Sequence, residues 1–459
     1  MARHHRHSVS DLLITNGTVV TAGGTVIADV AVSDGRIERI APDLEPDGAD
    51  VFDASGLLVL PGVIDVHTHL RLPDVEHPHR FRQDTKAAAA GGTTTVLTFN
   101  NPGTGITDEG AASLLRGLEE FRVRTAGESA VDYGLCAVVS DRQDDPVSEL
   151  PTLIEAGVPT FKAFMVYDFR MADAELDRAL RTAAQHGGML QVHCEDPAVI
   201  EPLVAGALER GQTACRFHAV TRPPNAEASA TQKAIEMARR AEAPLYIVHL
   251  SCAGALDAVA EAKARGEPVY AETCPHYLTL TDALYDDPDE AEVIKRVISP
   301  PLRSEADVHE LWAGLRDGIL DVVASDHVPD RLDTEKAIPA APFPEISNGA
   351  PGVETLLSVV YSEGVARGRI SMERLVEVLA AAPARLFGLG DKGAIEVGRH
   401  ADLVLWNPDA RRVLRQADLH HTSDYTPFEG LEVAGAPERV LLRGKAPRAG
   451  SGRFIERRL

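Results

Sequence analysis

No run of apolar residues approaches the roughly 18 to 20 needed to cross a bilayer, and Met1–Asp11 lacks the apolar stretch of a secretory signal. These two absences imply a cytoplasmic protein with no membrane partner. Cysteine is sparse. Cys136, Cys194, Cys215, Cys252 and Cys274 are odd in number and scattered, which argues against a disulfide framework, and no CxxC pair offers a thiolate zinc site. Positive charge is in deficit: 46 Lys+Arg stand against 69 Asp+Glu, a formal net charge of -23. Such a chain repels the phosphates of nucleic acids and anionic lipids, so neither is expected as a partner.

What is present is a chain of 459 residues, long enough for one large barrel and a smaller accessory domain. Asp11 to Asp53 reads as short strands of alternating or β-branched apolar residues broken by Gly, Asn and Asp. From Leu57 the text changes to eight short continuous apolar runs, each followed by a helix-like stretch, as in buried parallel βα units. The runs are VLPGVIDV, TTTVLTF, VDYGLCAVV, VPTFKAF, GGMLQVH, PLYIVH, PVYAET and GILDVVAS. Eight such units predict an α/β fold, a closed (β/α)8 barrel over 57–394. Strand-like text resumes near Ile395, so residues 1–56 and 395–459 are expected to form one discontinuous β-sandwich. His4, His5 and His7 read as part of a disordered polar arm rather than a metal site.

The barrel's strand ends carry the chemistry. His67 and His69 stand two apart at the end of the first run, which puts both imidazoles on one face at the mouth, where barrel enzymes place their active sites. Two neutral imidazoles suit a borderline divalent ion such as zinc. His193 closes the fifth run, His249 the sixth, and Asp326 follows the eighth. A lone histidine at a strand end is ordinarily a hydrogen-bonded rim residue, but the same coincidence on four strands is poorly explained by packing. Lys162 lies inside an apolar run, where an unpaired ammonium costs several kcal/mol of desolvation. A buried amine loses its proton readily and can add carbon dioxide to become an N-carboxylate able to bridge two metals. Taken alone, Lys162 would read as a lysine reaching the rim or pairing with a carboxylate; beside four histidines and Asp326 that is the weaker reading.

The text PGVIDVHTHL, AAAAGGTTTVLTF, TFKAFMVY, QVHCED, HAVTRPPNAEA, PLYIVHLS, ETCPHYL, ISPPLR, GILDVVASDH, ISNGAPGVE, PARLFGL and SDYTPFEG resembles the dihydropyrimidinase and hydantoinase branch of the amidohydrolase superfamily across nearly the whole chain. The resemblance implies two divalent ions, zinc or alternatively manganese or cobalt, bridged by a hydroxide that attacks a cyclic amide. His67, His69, Asp326 and carboxylated Lys162 would hold one ion, and Lys162, His193 and His249 the other. Asp326 would shuttle the proton, Tyr167 would stabilise the oxyanion, and Ser299 and Asn348 would bind the amide edges of the ring. A homotetramer is implied as well. Two positions depart from the family's pattern: Cys194 replaces a small apolar residue, and DFR follows Tyr167, the latter in a loop that the resemblance ties to substrate choice. The related allantoinases and dihydroorotases often read HxHLR at the first strand, as His67 to Arg71 do here. In that reading Arg71 and Asn101 would bind an anionic or polar ureide, against the plainer one of Arg71 paired with Asp74 or Glu76. The branch also includes non-catalytic scaffolds that have lost metal-binding residues, whereas all six positions are filled here.

Overall fold

The computed structural model describes residues 10–100, 105, 107–336 and 341–459; the histidines of the N-terminal arm and Asn101 lie outside the described residues. Near the N-terminus, alternating apolar residues make an antiparallel meander of β1 (Leu12–Thr21), β2 (Gly24–Ser33) and β3 (Arg36–Ala41). Asp34 and Gly35, at φ 49° and 76°, supply the two left-handed positions of the tight β2–β3 turn. Strands β4 (Asp50–Asp53) and β5 (Leu58–Pro61) both pair parallel to β1. From the other end of the chain, β14 (Leu403–Val413) pairs with β5 and β15 (Glu432–Leu441) with β14. The resulting seven-stranded sheet buries Leu12, Ile14, Val30, Val59, Leu403 and Leu441 in one core of its own. It is the β-sandwich domain.

The border between this sheet and the barrel falls inside the first apolar run, because Leu58–Pro61 pairs in the sandwich. Gly62 makes the transition possible: a Cβ there would lie 2.1 Å from the Thr94 hydroxyl. The barrel strands follow as β6 (Val63–Thr68), β7 (Thr93–Phe99), β8 (Asp132–Val138), β9 (Thr160–Phe164), β10 (Met189–His193), β11 (Leu245–Ile247), β12 (Val269–Thr273) and β13 (Val322–Val323). All are paired parallel in sequence order, and a bridge from Thr68 to His327 closes the ring. Helices cover the outside, and side chains such as Leu97, Cys136, Tyr246 and Phe387 form a second, inner core, so the strands are buried on both faces.

Two differences from the sequence reading matter. Strands β11 and β13 stop short of the ends of the apolar runs that contain them, leaving His249 and Asp326 on non-helical backbone at φ 39° and 49°. The end of the chain leaves the sandwich: Phe454 bridges to Tyr133, and the buried Arg457 guanidinium donates to Leu135 O at 2.6 Å and Thr160 Oγ1 at 2.9 Å. The five cysteines are buried and unpaired. No helix among the described residues is long and apolar enough to cross a membrane.

Candidate metal centre and its cavity

His67 is the penultimate residue of β6, and its ring is set from behind. Nδ1 donates to Glu272 on β12, and that carboxylate also accepts from the Tyr246 hydroxyl at 2.8 Å. Burial and Lys162 act to lower the His67 pKa, but Asp326 and Glu272 outweigh them and raise it; in its neutral form, with the proton on Nδ1, the ring presents a lone pair at Nε2. That nitrogen lies 3.0 Å from Asp326 Oδ1, yet no aligned hydrogen bond joins them. With the ring neutral, two acceptors face one another, an arrangement that a shared cation stabilises. His69 Nε2 approaches the same Asp326 oxygen at 3.2 Å, and His67, His69 and Asp326 form a compact group able to hold a metal.

The second half of the site repeats the logic. His193, at the end of β10, donates through Nε2 to Glu195 at 2.7 Å, which turns its Nδ1 toward His249 Nε2 at 2.8 Å. Burial alone would raise the Glu195 carboxyl, but Arg222 at 2.6 Å and the His193 hydrogen bond bring it down to about 2. Glu195 is therefore a fixed anion behind His193. His249 Nδ1 is buried with no hydrogen-bond partner among the described residues.

Lys162 sits in β9, fully buried, with Nζ 4.8 Å from the Phe99 ring centre and 5.1 Å from that of Phe164. Among the described residues the amine has no hydrogen-bond partner. Burial pulls its pKa down to about 8, so roughly a tenth of the amine is neutral at pH 7. An orphaned amine, an orphaned imidazole nitrogen and two opposed acceptors converge from different strands, and buried polar atoms are seldom left so. The donor set fits divalent metal.

Above these residues opens a cavity of about 280 Å³, whose lining includes Lys162, Tyr167, Phe169, Ser299, Asn348 and Arg71. Tyr167 holds φ 78°, a strained value for a bulky residue, and its ring stacks on Phe169 at 5.4 Å. Burial raises its hydroxyl to about 12, which keeps the proton on. Ser299 Oγ lies 3.3 Å from His218 Nε2, and the buried Asn348 Oδ1 has no hydrogen-bond partner among the described residues. Arg71 does reach the cavity, but it is ion-paired with Asp330, which also accepts from the Ser347 hydroxyl. Neither Asp74 nor Glu76 is that partner; Asp74 pairs with Arg80 at 3.2 Å.

Sequence reasoning missed Glu272, Glu195, Arg222 and Tyr246. Two signals were available: Glu272 is a carboxylate near the end of an apolar run, and Glu195 follows His193 by two residues. Arg222 and Tyr246 gave none, since only the fold brings them to their carboxylates.

The model of the Amidohydrolase family matches residues 58–446. The chain is 41% identical over 440 residues to a D-hydantoinase of Rhizobium radiobacter, covering 95% of this chain and 94% of that protein. It is 39% identical over 460 residues to a D-hydantoinase of Geobacillus stearothermophilus, covering 97% and 96%. In structure it resembles the dihydropyrimidinase from Brevibacillus agri NCHU1002, with a TM-score of 0.91, 38% identity and coverage of 97% of this chain and 98% of that one.

Proposed function

We propose, from the premise that the chain belongs to the amidohydrolase family and to its hydantoinase branch, that it opens 5-substituted hydantoins and dihydropyrimidines, with preference for the D enantiomer. The protein is a metal-dependent hydrolase of cyclic amides. The observation that carries the finer reading is the convergence of His67, His69, Lys162, His193, His249 and Asp326 at one cavity, with Lys162 Nζ, His67 Nε2 and His249 Nδ1 left without hydrogen-bond partners among the described residues.

His67, His69 and Asp326 would hold one divalent ion and His193 and His249 the other, with Lys162 as N-carboxylate between them. The nitrogen and oxygen donors favour zinc, and manganese or cobalt also suit them. Bound ions would supply an activated water and polarise the amide carbonyl. Glu272 and Glu195 keep the rings of His67 and His193 turned toward the site. Asp326 takes up the proton released on attack and returns it to the leaving amide nitrogen. Tyr167, protonated and fixed against Phe169, donates to the oxyanion. Ser299 and Asn348 hold the ring amide, and the Phe164, Tyr167 and Phe169 wall receives an apolar ring substituent. The anionic-substrate alternative loses its support because Asp330 already meets the charge of Arg71. The D preference is supported by the two D-hydantoinases, and the homotetramer by family resemblance.

Steady-state hydrolysis of D- and L-5-substituted hydantoins, dihydrouracil, allantoin and dihydroorotate by metal-loaded protein tests this reading. Hydantoins and dihydrouracil are expected to be turned over, the D form faster. Faster turnover of dihydroorotate or allantoin overturns it. Lys162→Ala is expected to lose most bound metal and activity, with partial rescue by short carboxylic acids; a variant that keeps both ions and normal turnover removes the lysine bridge.

A further inference from the structure

Lys336 ends the short helical turn Leu332–Lys336 and is completely buried. Its ammonium donates to three carbonyls: Val297 O at 2.9 Å, Ser347 O at 2.6 Å and Gly349 O at 2.7 Å. An ammonium has three N–H donors, and all three are used. Among the described residues it forms no ion pair; Asp330, the carboxylate that acts on it electrostatically, is taken by Arg71 and the Ser347 hydroxyl. A buried lysine dedicated to main-chain carbonyls is an unusual use of a charge, and the identity of the carbonyls explains it. Val297 precedes Ser299 by two residues, while Ser347 and Gly349 flank Asn348.

We propose that Lys336 is a positioning residue for substrate binding: its ammonium ties the segment carrying Ser299 to the segment carrying Asn348 and so sets the spacing of the two groups that hold the ring amide. The inference rests on the reading of Ser299 and Asn348 as amide-holding residues. Three partly negative carbonyl oxygens converge on one point and would repel without a cation between them, so charge-assisted hydrogen bonds keep the two segments together. The Asn348 segment is also anchored by the Ser347 hydroxyl on Asp330, but that bond does not reach the Ser299 segment, and the remaining ties are neutral. Gly349 N donates to Val297 O at 3.0 Å, and the Tyr425 hydroxyl to Gly349 O at 3.2 Å. Gly349 itself, at φ +118°, sits where a Cβ would come within 2.4 Å of Val328, so the Asn348 segment has little room to settle elsewhere in the same shape. Loss of the ammonium is expected to release Asn348 from its register while leaving the metal-holding residues, which Lys336 does not touch, in place.

The test compares wild type, K336A, N348A and the double variant as metal-loaded holoenzymes on one D-hydantoin. K336A is expected to keep its bound metal and to raise KM about tenfold or more with a much smaller change in kcat. Propylammonium, which can refill the vacated space with three N–H donors, is expected to restore part of the KM, and tetramethylammonium, which has none, is not. The effects of K336A and N348A on KM are expected to be strongly non-additive, because one acts through the other. Unchanged KM in K336A, additive effects, or equal rescue by the two ammonium ions overturns the proposal. Should K336A not fold, K336M, which fills the space without any N–H donor, is read by the same KM and double-variant comparison, and a wild-type KM in it overturns the proposal. If N348A alone leaves KM unchanged, the amide-holding reading of Asn348 fails, a result distinct from failure at Lys336.

Discussion

Among its described residues the molecule contains two groups whose acidic and histidine atoms lie close enough to hold a metal, and they differ in one respect. At the barrel mouth stand His67, His69 and Asp326; where the barrel meets the sandwich stand Asp132, His400 and Asp402. In the second group the charges are already matched. Lys392 Nζ binds Asp132 at 2.7 Å and Asp402 at 2.5 Å, Arg443 binds Asp132 at 2.5 Å, and the remaining oxygens accept from the main-chain nitrogens of Arg453 and Arg443. Burial would raise the Asp132 carboxyl, but these two cations hold it below its usual range. At the mouth, by contrast, Lys162 Nζ, His67 Nε2 and His249 Nδ1 are left without hydrogen-bond partners among the described residues. Clustering of ligand-type residues therefore does not mark a functional site, and one unpaired atom does not either, since His400 Nδ1 in the second cluster also lacks a hydrogen-bond partner among the described residues; what sets the mouth apart is several unpaired nitrogens from different strands around a carboxylate that lines a cavity.

That contrast predicts opposite responses to mutation. Asp326→Asn is expected to lower kcat by about 10²- to 10⁴-fold while the folded state remains stable, since an amide cannot shuttle the proton. A variant within tenfold of wild type in steady-state assays would take Asp326 out of proton transfer. At the other cluster, Lys392→Met leaves two buried carboxylates short of a cation and is expected to cost about 3–5 kcal/mol of stability with little change in kcat. Urea unfolding beside a kinetic assay separates the two, and a catalytic defect without a stability loss would erase the distinction between the clusters. A carboxyl depressed in the folded state, as Asp132 is, stabilises above its ordinary value near about 4 and loses that contribution as pH falls through the folded value. The acid limb of stability in Lys392→Met is thus expected to be shallower than in wild type. The smallest effect is expected from Tyr167→Phe, about 10²-fold in kcat if the hydroxyl meets the oxyanion. A change confined to KM would make it a ground-state contact.

The residues proposed to hold metal stood out in the sequence because they interrupt apolar runs, and the structure brings them together at the barrel mouth. A histidine at the end of a buried strand, or a lysine inside one, contradicts its surroundings, and repetition across several strands turns contradiction into pattern. Arg71 shows the limit. Its spacing after His69 suggested a group available to bind substrate, but its partner Asp330 lies 259 residues away and no local rule connects them. Lys336 carried no signal at all: it lies in polar text, and its carbonyl partners come from main chain, which sequence never distinguishes.

The sequence by itself determined the eight-stranded barrel, the second domain drawn from both ends of the chain, and the residue types that converge at the mouth. Period-2 alternation and continuous apolar runs report which faces are buried, and burial is what selects those folds. Tertiary structure alone decided which polar atoms remain unpaired. It placed Glu272 behind His67 and Glu195 behind His193, bent the backbone at Tyr167, His249 and Asp326, and returned Arg457 to the barrel. Each of these depends on hydrogen bonds or strain between or beyond the regular elements, and such terms leave no periodic trace in the residues that make them.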